Sequence, residues 1–210
     1  GHWKIAQAAK DRPAPLKTGT PVCDCLVQLV QTQEPPLLSV VLGWEALEDL
    51  GCMYLMQAIQ LSKTVTMIDL RNNSLGTESY KYVSEALLTV PSITSADLYG
   101  NANAEDYECI FSALQTNNSL THLSLSVKQR SSGYDVEFME SSSTSRATNP
   151  LAACVAMLHS NNTLTTLKMD ELTYNELDQG LVPFAQCIIA KPIITEIALT
   201  LRGIYDEKIK

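Results

Sequence analysis

A six-residue sequence pattern, which we call the phrase, recurs along the chain and limits the folds that the chain can adopt. The phrase occurs at residues 65–70 (VTMIDL), 93–98 (ITSADL), 120–125 (LTHLSL), 164–169 (LTTLKM) and 194–199 (ITEIAL), and residues 37–42 fit the same frame. Its starts at 37, 65, 93, 120, 164 and 194 are 28, 28, 27, 44 and 30 residues apart, so one unit repeats with a single long insertion. A repeat of this length indicates a solenoid, whose stacked units share one core, and it favours a binding scaffold over an enzyme.

Each unit combines a strand with a helix. The phrase is too short for a helix and alternates apolar and polar side chains, which is typical of a strand. After a turn, Tyr107, Ile110, Phe111 and Leu114 follow helical spacing and form one apolar stripe. A strand, a turn, a helix and a return turn fill about 28 residues, so neighbouring strands must run parallel, with the helices on the outer face.

The frame Leu-x-x-Leu-x-Leu-x-x-Asn, present at 65–73 and at 93–101, resembles a leucine-rich repeat, and the period is similar to that of the ribonuclease-inhibitor type. The resemblance implies an α/β fold: a right-handed solenoid shaped as a horseshoe arc, with a concave parallel sheet of about six strands and convex helices. It also implies that Asn73 and Asn101 bond to turn backbone between coils. Other residues fill the asparagine slot elsewhere, and they are Glu45, Lys128, Leu172 and Arg202.

The repeats are expected to occupy residues 37–201. Residues 1–20 are interpreted as a tag remnant and an irregular segment, 21–36 as an N-terminal capping helix, and 202–210 as a C-terminal cap or chain end. The insertion at 128–149 is rich in serine, a composition that does not readily order around a core. It is interpreted either as a surface excursion or as a binding or phosphorylation segment, and both interpretations stay open.

Composition narrows the possible partners. The formal charge of −8 and pI near 4.8 argue against nucleic acid, and no apolar run is long enough to insert into a membrane. Four of the six cysteines fall once per repeat in the predicted helices, which favours reduced thiols and a cytoplasmic location. The motif Cys23-Asp24-Cys25 offers two thiolates where a closed zinc site needs four ligands, so neither a metal nor a cofactor is expected.

A candidate binding surface follows from the alternation of side chains along each strand. If the fourth and sixth residues of a phrase face the core, the third, fifth and seventh face away from it. Asp69 and Asp97 should then lie close enough to repel, with Arg71 and Tyr99 beside them. The patch predicted to contact a basic segment of another protein consists of Met67, Asp69, Arg71, Asp97, Tyr99, His122 and Trp44. The alternative is that the acidic row only keeps the sheet soluble.

Three interpretations of function remain open. The first is a non-catalytic protein-interaction scaffold in a cytoplasmic or cytoskeletal assembly, which binds through the concave face or the inserted loop. No catalytic residues are expected, because neither His122 nor His159 is accompanied by residues that would form a nucleophile. The second is an activator of a small GTPase, since the repeat type resembles that of the Ran GTPase-activating protein; Arg71 is the residue to test. The third is an actin pointed-end capping module, because residues 113–120 (ALQTNNSL) resemble the helix-to-strand junctions of tropomodulin.

Overall fold

The computed structural model describes residues 36–101, 107–127, 149–172 and 174–201, together with Asp24 and Gln28, which are helical. The predictions for residues 1–20, for the insertion up to residue 148 and for residues 202–210 lie outside the described residues. So does the predicted capping helix apart from Asp24, Gln28 and Pro36. No helix in the described ranges combines the length and the apolar character needed to cross a bilayer.

Strands and helices alternate along the described residues, as the repeat predicts. The strands are β1 Ser39–Val41, β2 Met67–Asp69, β3 Ser95–Leu98, β4 His122–Ser126, β5 Thr166–Leu172 and β6 Glu196–Leu201. The helices are α1 Glu48–Gln60, α2 Thr77–Thr89, α3 Tyr107–Leu114, α4 Pro150–Ser160 and α5 Tyr174–Ala190.

Every strand begins at the third residue of its phrase, two residues later than the alternation alone predicts. The reason is a shared acceptor at the start of each coil. The N–H groups of Thr94 and Ser95 both donate to the carbonyl oxygen of Thr66, at 2.8 and 3.1 Å, and the same pattern recurs in later coils. The regular one-to-one ladder therefore starts only after these two residues.

The six strands form one parallel sheet in the order β1-β2-β3-β4-β5-β6. Residues at the fourth position of successive phrases are direct partners across the sheet: Ile68 pairs with Ala96, Ala96 with Leu123, and Leu123 with Leu167. All four are at most 2% exposed and belong to one continuous hydrophobic core shared with the helices. The predicted α/β solenoid architecture is thus confirmed.

The last coil differs from the inner ones. Ile197 pairs with Leu167 in the same slot, yet its side chain is 36% exposed. Among the described residues no further strand pairs with β6, so nothing there covers the outer side of this position. The core position of this coil is therefore only partly covered by the residues that the structure describes.

The asparagine positions join neighbouring coils, as the resemblance implies. Asn73 is fully buried; its Oδ1 accepts the N–H groups of Glu45 and Leu47 at 3.0 and 3.3 Å, and its Nδ2 donates to the carbonyl oxygens of Leu42 and Arg71 at 2.6 and 3.1 Å. A buried amide that meets donors and acceptors of two coils fixes their relative position.

The bonding continues in altered form where the asparagine is missing. In the fourth coil the slot falls on Lys128, outside the described residues. Here the hydroxyl of Ser126, itself 1% exposed, accepts the N–H of Gly100 at 2.9 Å. A buried serine thus links the third coil to the fourth.

A second set of polar links lies at the opposite end of the strands, in the return turns. Asn117 Nδ2 donates to the Leu87 carbonyl oxygen at 2.6 Å, and Asn161 Nδ2 donates to that of Leu114 at 2.8 Å. Beyond them, Lys191 Nζ donates to the Asn161 carbonyl oxygen at 3.1 Å and also to that of His159. A cation at the carboxyl end of α4 is favoured by the helix dipole.

The start of α2 is capped by a side chain from the preceding coil. Asp49 Oδ1 accepts the N–H groups of Gly76 and Ser79 at 2.9 and 3.1 Å, as well as the Ser79 hydroxyl. Burial alone would raise the pKa of Asp49, but these hydrogen bonds outweigh it and hold the pKa below its ordinary value. α1 and α2 are therefore tied together by a charge-assisted cap.

The cysteines of the described helices form no disulfide with one another: Cys52, Cys154 and Cys187 are buried and Cys109 is partly buried. Burial raises the pKa of Cys154. The motif at 23–25 cannot be compared, since Cys23 and Cys25 lie outside the described residues. In the rest of the described chain no three His, Cys, Asp or Glu side chains gather as a metal site would require.

Candidate functional site

The sheet face turned away from the helices carries two rows of side chains that run straight across the sheet, and we call this face the concave face. Its third-position row runs straight across the sheet and consists of Ser39, Met67, Ser95, His122, Thr166 and Glu196. Its fifth-position row does the same and consists of Val41, Asp69, Asp97, Ser124, Lys168 and Ala198. The predicted register is therefore confirmed for both rows.

An arginine sits between the two carboxylates of the fifth-position row. Arg71 holds Asp69 in a two-point contact, with Nε to Oδ1 at 2.9 Å and Nη2 to Oδ2 at 2.8 Å. The same Nε lies 3.5 Å from Asp97 Oδ2. Arg71 thus lies beside Asp69 and Asp97, as expected, and its single positive charge offsets part of the repulsion between the two carboxylates.

This cluster is organised by backbone as well as side chains. The Arg71 N–H donates to Asp69 Oδ1 at 3.2 Å, and the Tyr99 N–H donates to Asp97 Oδ1 at 3.1 Å. Each aspartate thus bonds two residues onward along its own strand, a local pattern common for this side chain. The hydrogen bond to Asp69, with the charges of Asp69 and Asp97, holds the pKa of Arg71 above its ordinary value.

Burial in the cluster differs from the expectation of an exposed acidic row. The Asp69 side chain is only 9% exposed, whereas that of Asp97 is 32% exposed and that of Arg71 is 48% exposed. The long Arg71 side chain covers Asp69, which explains the difference. The carboxylate that a partner can reach is therefore that of Asp97.

The remaining predicted residues surround the cluster at different distances along the sheet. Met67 lies in the same strand as Asp69 and is half-buried, and Tyr99 is exposed next to Asp97. Trp44 follows β1 and is 79% exposed, with its N–H donating to the Arg71 carbonyl oxygen at 2.9 Å. His122 lies in β4, two strands away from Met67, and its Nδ1 hydrogen-bonds the Thr121 hydroxyl at 2.7 Å.

The sequence patterns did not point to a second ion pair on the concave face. Lys168 Nζ lies 2.9 Å from Glu196 Oε1, and the hydrogen bond and charge of Lys168 hold the pKa of Glu196 below its ordinary value. The signal was available, because Lys168 and Glu196 occupy diagonal positions of adjacent strands, within reach of long side chains. The two ends of the face thus each carry a paired charge cluster.

A row of threonines at the start of the strands also escaped the sequence patterns. The second residue of five phrases is threonine, and each hydroxyl donates to a carbonyl oxygen of the preceding coil at 3.0 to 3.3 Å. These residues are Thr66, Thr94, Thr121, Thr165 and Thr195. The recurrence of threonine at the second position of the phrase could have revealed them in the sequence. Their hydroxyl groups join neighbouring coils.

Comparisons with known proteins bear on the fold. The sequence matches no family model and no curated protein. The structure is similar to leiomodin-1 actin-binding site 2, with a TM-score of 0.62 and 17% identity over 82% of this chain and 93% of that chain. It is also similar to the tropomodulin C-terminal domain of Caenorhabditis elegans, with a TM-score of 0.59 and 12% identity over 80% of this chain and 94% of that chain.

At these identities the likeness establishes the architecture. The six-stranded parallel sheet, the helices packed on one side of it and the asparagine links together define a protein with a leucine-rich-repeat type of fold. Its arrangement is similar to that of the leiomodin and tropomodulin domains.

Proposed function

We propose that this protein is a non-catalytic, cytoplasmic interaction module of the ribonuclease-inhibitor-like repeat type, and that its partner is actin. The observation that carries the proposal is the likeness to leiomodin-1 actin-binding site 2 over 93% of that domain. The junction at 113–120, which by sequence alone resembles tropomodulin, supports it. The cysteines of the described helices, which form no disulfide with one another, support the cytoplasmic location.

The proposed contact is the part of the concave face around the Arg71 cluster. Met67, Tyr99 and Trp44 supply apolar and aromatic area, and tyrosine, tryptophan and arginine are the residue types that most often anchor interfaces. Asp69 and Asp97 together exceed the charge of Arg71 by one negative charge, which suits a basic segment of the partner. His122 extends the same face by two strands.

The geometry does not favour the small-GTPase interpretation. An activating arginine must present its guanidinium to the nucleotide, and the guanidinium of Arg71 is held by Asp69 and lies close to Asp97. That interpretation stays a prediction, and GTP hydrolysis measured with a panel of small GTPases tests it. The interaction module is the function that we carry forward.

The experiment is dilution-induced depolymerisation of actin filaments whose fast-growing ends are blocked, combined with co-sedimentation on filaments. We expect the wild-type protein to bind and to slow the loss of subunits from the free ends. Failure of the wild type to bind monomeric or filamentous actin would overturn actin as the partner.

Two variants with the same charge change locate the contact. Asp97→Lys reverses the accessible carboxylate on the concave face, and Glu85→Lys makes the same change at an exposed residue of α2, on the helix side. We expect Asp97→Lys to weaken actin binding and Glu85→Lys to leave it unchanged, with thermal unfolding showing that both are folded. Deletion of residues 131–146 tests the inserted loop, the alternative contact, in the same assay.

A further inference from the structure

Trp44 is placed at a cost that no contact among the described residues offsets. Its side chain is 79% exposed, so its large apolar surface gains little from burial. Its backbone φ is 69°, in the left-handed region that is rare for bulky residues. Both features make tryptophan an unfavourable choice for this position of the isolated protein.

The next two coils show which residues the position accepts without strain. Trp44, Asn72 and Gly100 are spaced 28 residues apart, and their φ angles are 69°, 55° and 76°. The N–H of Trp44 donates to the Arg71 carbonyl oxygen, and that of Asn72 donates to the Tyr99 carbonyl oxygen, each at 2.9 Å. The fold therefore imposes the same conformation on successive coils, and glycine and asparagine are the residues that adopt it most readily.

The neighbourhood of Trp44 combines apolar area with a negative charge. Val41, in the fifth-position row beside Asp69, is 55% exposed, and Gly43 contributes no side chain next to Arg71. A Cβ at Gly43 would lie 3.7 Å from the Arg71 carbonyl oxygen and 4.0 Å from Arg71 Cβ, so the backbone of Gly43 lies directly beside Arg71. Asp97 is the accessible carboxylate of the adjoining cluster.

We propose that Trp44 is the anchor of the partner contact and that it receives a segment in which a lysine or arginine stands next to an aliphatic side chain. The cation lies over the indole face and towards Asp97, and the aliphatic side chain packs on the exposed side chain of Val41. Strained residues persist at binding sites because the bound state uses them. The inference rests on the proposed function, whose anchoring residue and partner chemistry it specifies.

The test uses Trp44→Asn, which installs the residue found in the next coil. We expect two opposite effects: the thermal midpoint of the free protein rises by about 2 °C as strain is relieved, while actin affinity falls at least tenfold. A residue with a merely structural role would not produce this opposition. Leu88→Asn is the matched control, since Leu88 is also an exposed apolar residue, at 54%, but lies on α2. It should leave actin affinity unchanged.

The outcomes separate this inference from the proposed function. If the wild type binds actin and Trp44→Asn binds equally well, the anchor is overturned and the proposed function stands. If the wild type does not bind actin, the proposed function is overturned. The anchoring role of Trp44 is then tested by the binding of two peptides, one that alternates leucine with arginine and one that alternates leucine with glutamate. Binding is then followed by fluorescence anisotropy of dye-labelled peptides, a readout that Trp44→Asn leaves intact. A tenfold preference for the arginine peptide that Trp44→Asn abolishes supports the anchor, and its absence overturns it.

Discussion

Asn101 holds the asparagine of the preceding coil directly: the Asn73 N–H donates to Asn101 Oδ1 at 2.6 Å. The same Asn101 uses its Nδ2 to reach the Leu70 carbonyl oxygen, also at 2.6 Å. Two consecutive coils are thus joined through one amide. The cohesion of the repeats therefore depends on a few buried polar side chains in addition to the apolar core.

Removing the buried amide of Asn73 should destabilise the whole stack. Asn73→Ala leaves the N–H groups of Glu45 and Leu47 and the Leu42 carbonyl oxygen without their partner, which we expect to cost about 2 kcal/mol in the free energy of unfolding. Urea denaturation measures the loss. Asn118→Ala, at an exposed residue of a return turn, is the control and should change stability by less than about 0.5 kcal/mol. Equal effects of the two variants would contradict a special role for Asn73.

The cap supplied by Asp49 should make stability depend on pH. Its pKa is lower in the folded chain than in the unfolded chain, so its contribution is fully present above about pH 4 and disappears as the pH falls through the folded-state pKa. Asp49→Asn should cost about 1 kcal/mol at pH 7 and lose less stability than the wild type on acidification. Urea midpoints between pH 2.5 and 7 measure this. Parallel pH curves for the two proteins would contradict the assignment.

Much of the fold was predictable because the repeat period states which residues are neighbours. Apolar residues at fixed positions of the phrase predict the strand register, and Ile68, Ala96, Leu123 and Leu167 indeed form one buried line. The period of 28 residues also predicts which residues of successive coils are neighbours, and the pattern within a single unit does not. It places Asp49 beside the start of α2, and it aligns Trp44 with the asparagine and glycine of later coils.

The site was less predictable, because its electrostatics depend on side-chain direction. Asp69, Arg71 and Asp97 were predicted to lie together, and they do. That the guanidinium folds back along its own strand to cover Asp69, leaving Asp97 accessible, follows from rotamers and distances that alternation does not specify. For the same reason the Lys168–Glu196 pair was not anticipated.

Two substitutions at the same position of different coils should show how completely the core covers each coil. Leu167→Ala removes a fully buried side chain between β4 and β6, and we expect a loss of about 3 kcal/mol in the free energy of unfolding. Ile197→Ala makes a similar change where the side chain is 36% exposed, and about 1 kcal/mol is expected, since less apolar area leaves water. Urea denaturation compares them. A larger loss at Ile197 would mean that the last coil is covered as completely as the inner ones.

The contact between Arg71 and Asp69 should be a measurable interaction, unlike most surface ion pairs. The contact has two short hydrogen bonds. Because the side chain of Asp69 is almost buried, the fold already restricts its conformation, and forming the ion pair costs less side-chain entropy. A double-mutant cycle of Arg71→Gln and Asp69→Asn should give a coupling of about 1 kcal/mol that shrinks as salt is raised. The Lys81–Glu78 pair of α2 is the control: it is as short, at 2.6 Å, but both partners are more than half exposed, and its coupling should be smaller. If the coupling free energy of the Arg71–Asp69 pair is no larger than that of the Lys81–Glu78 pair, the burial of Asp69 does not strengthen the interaction.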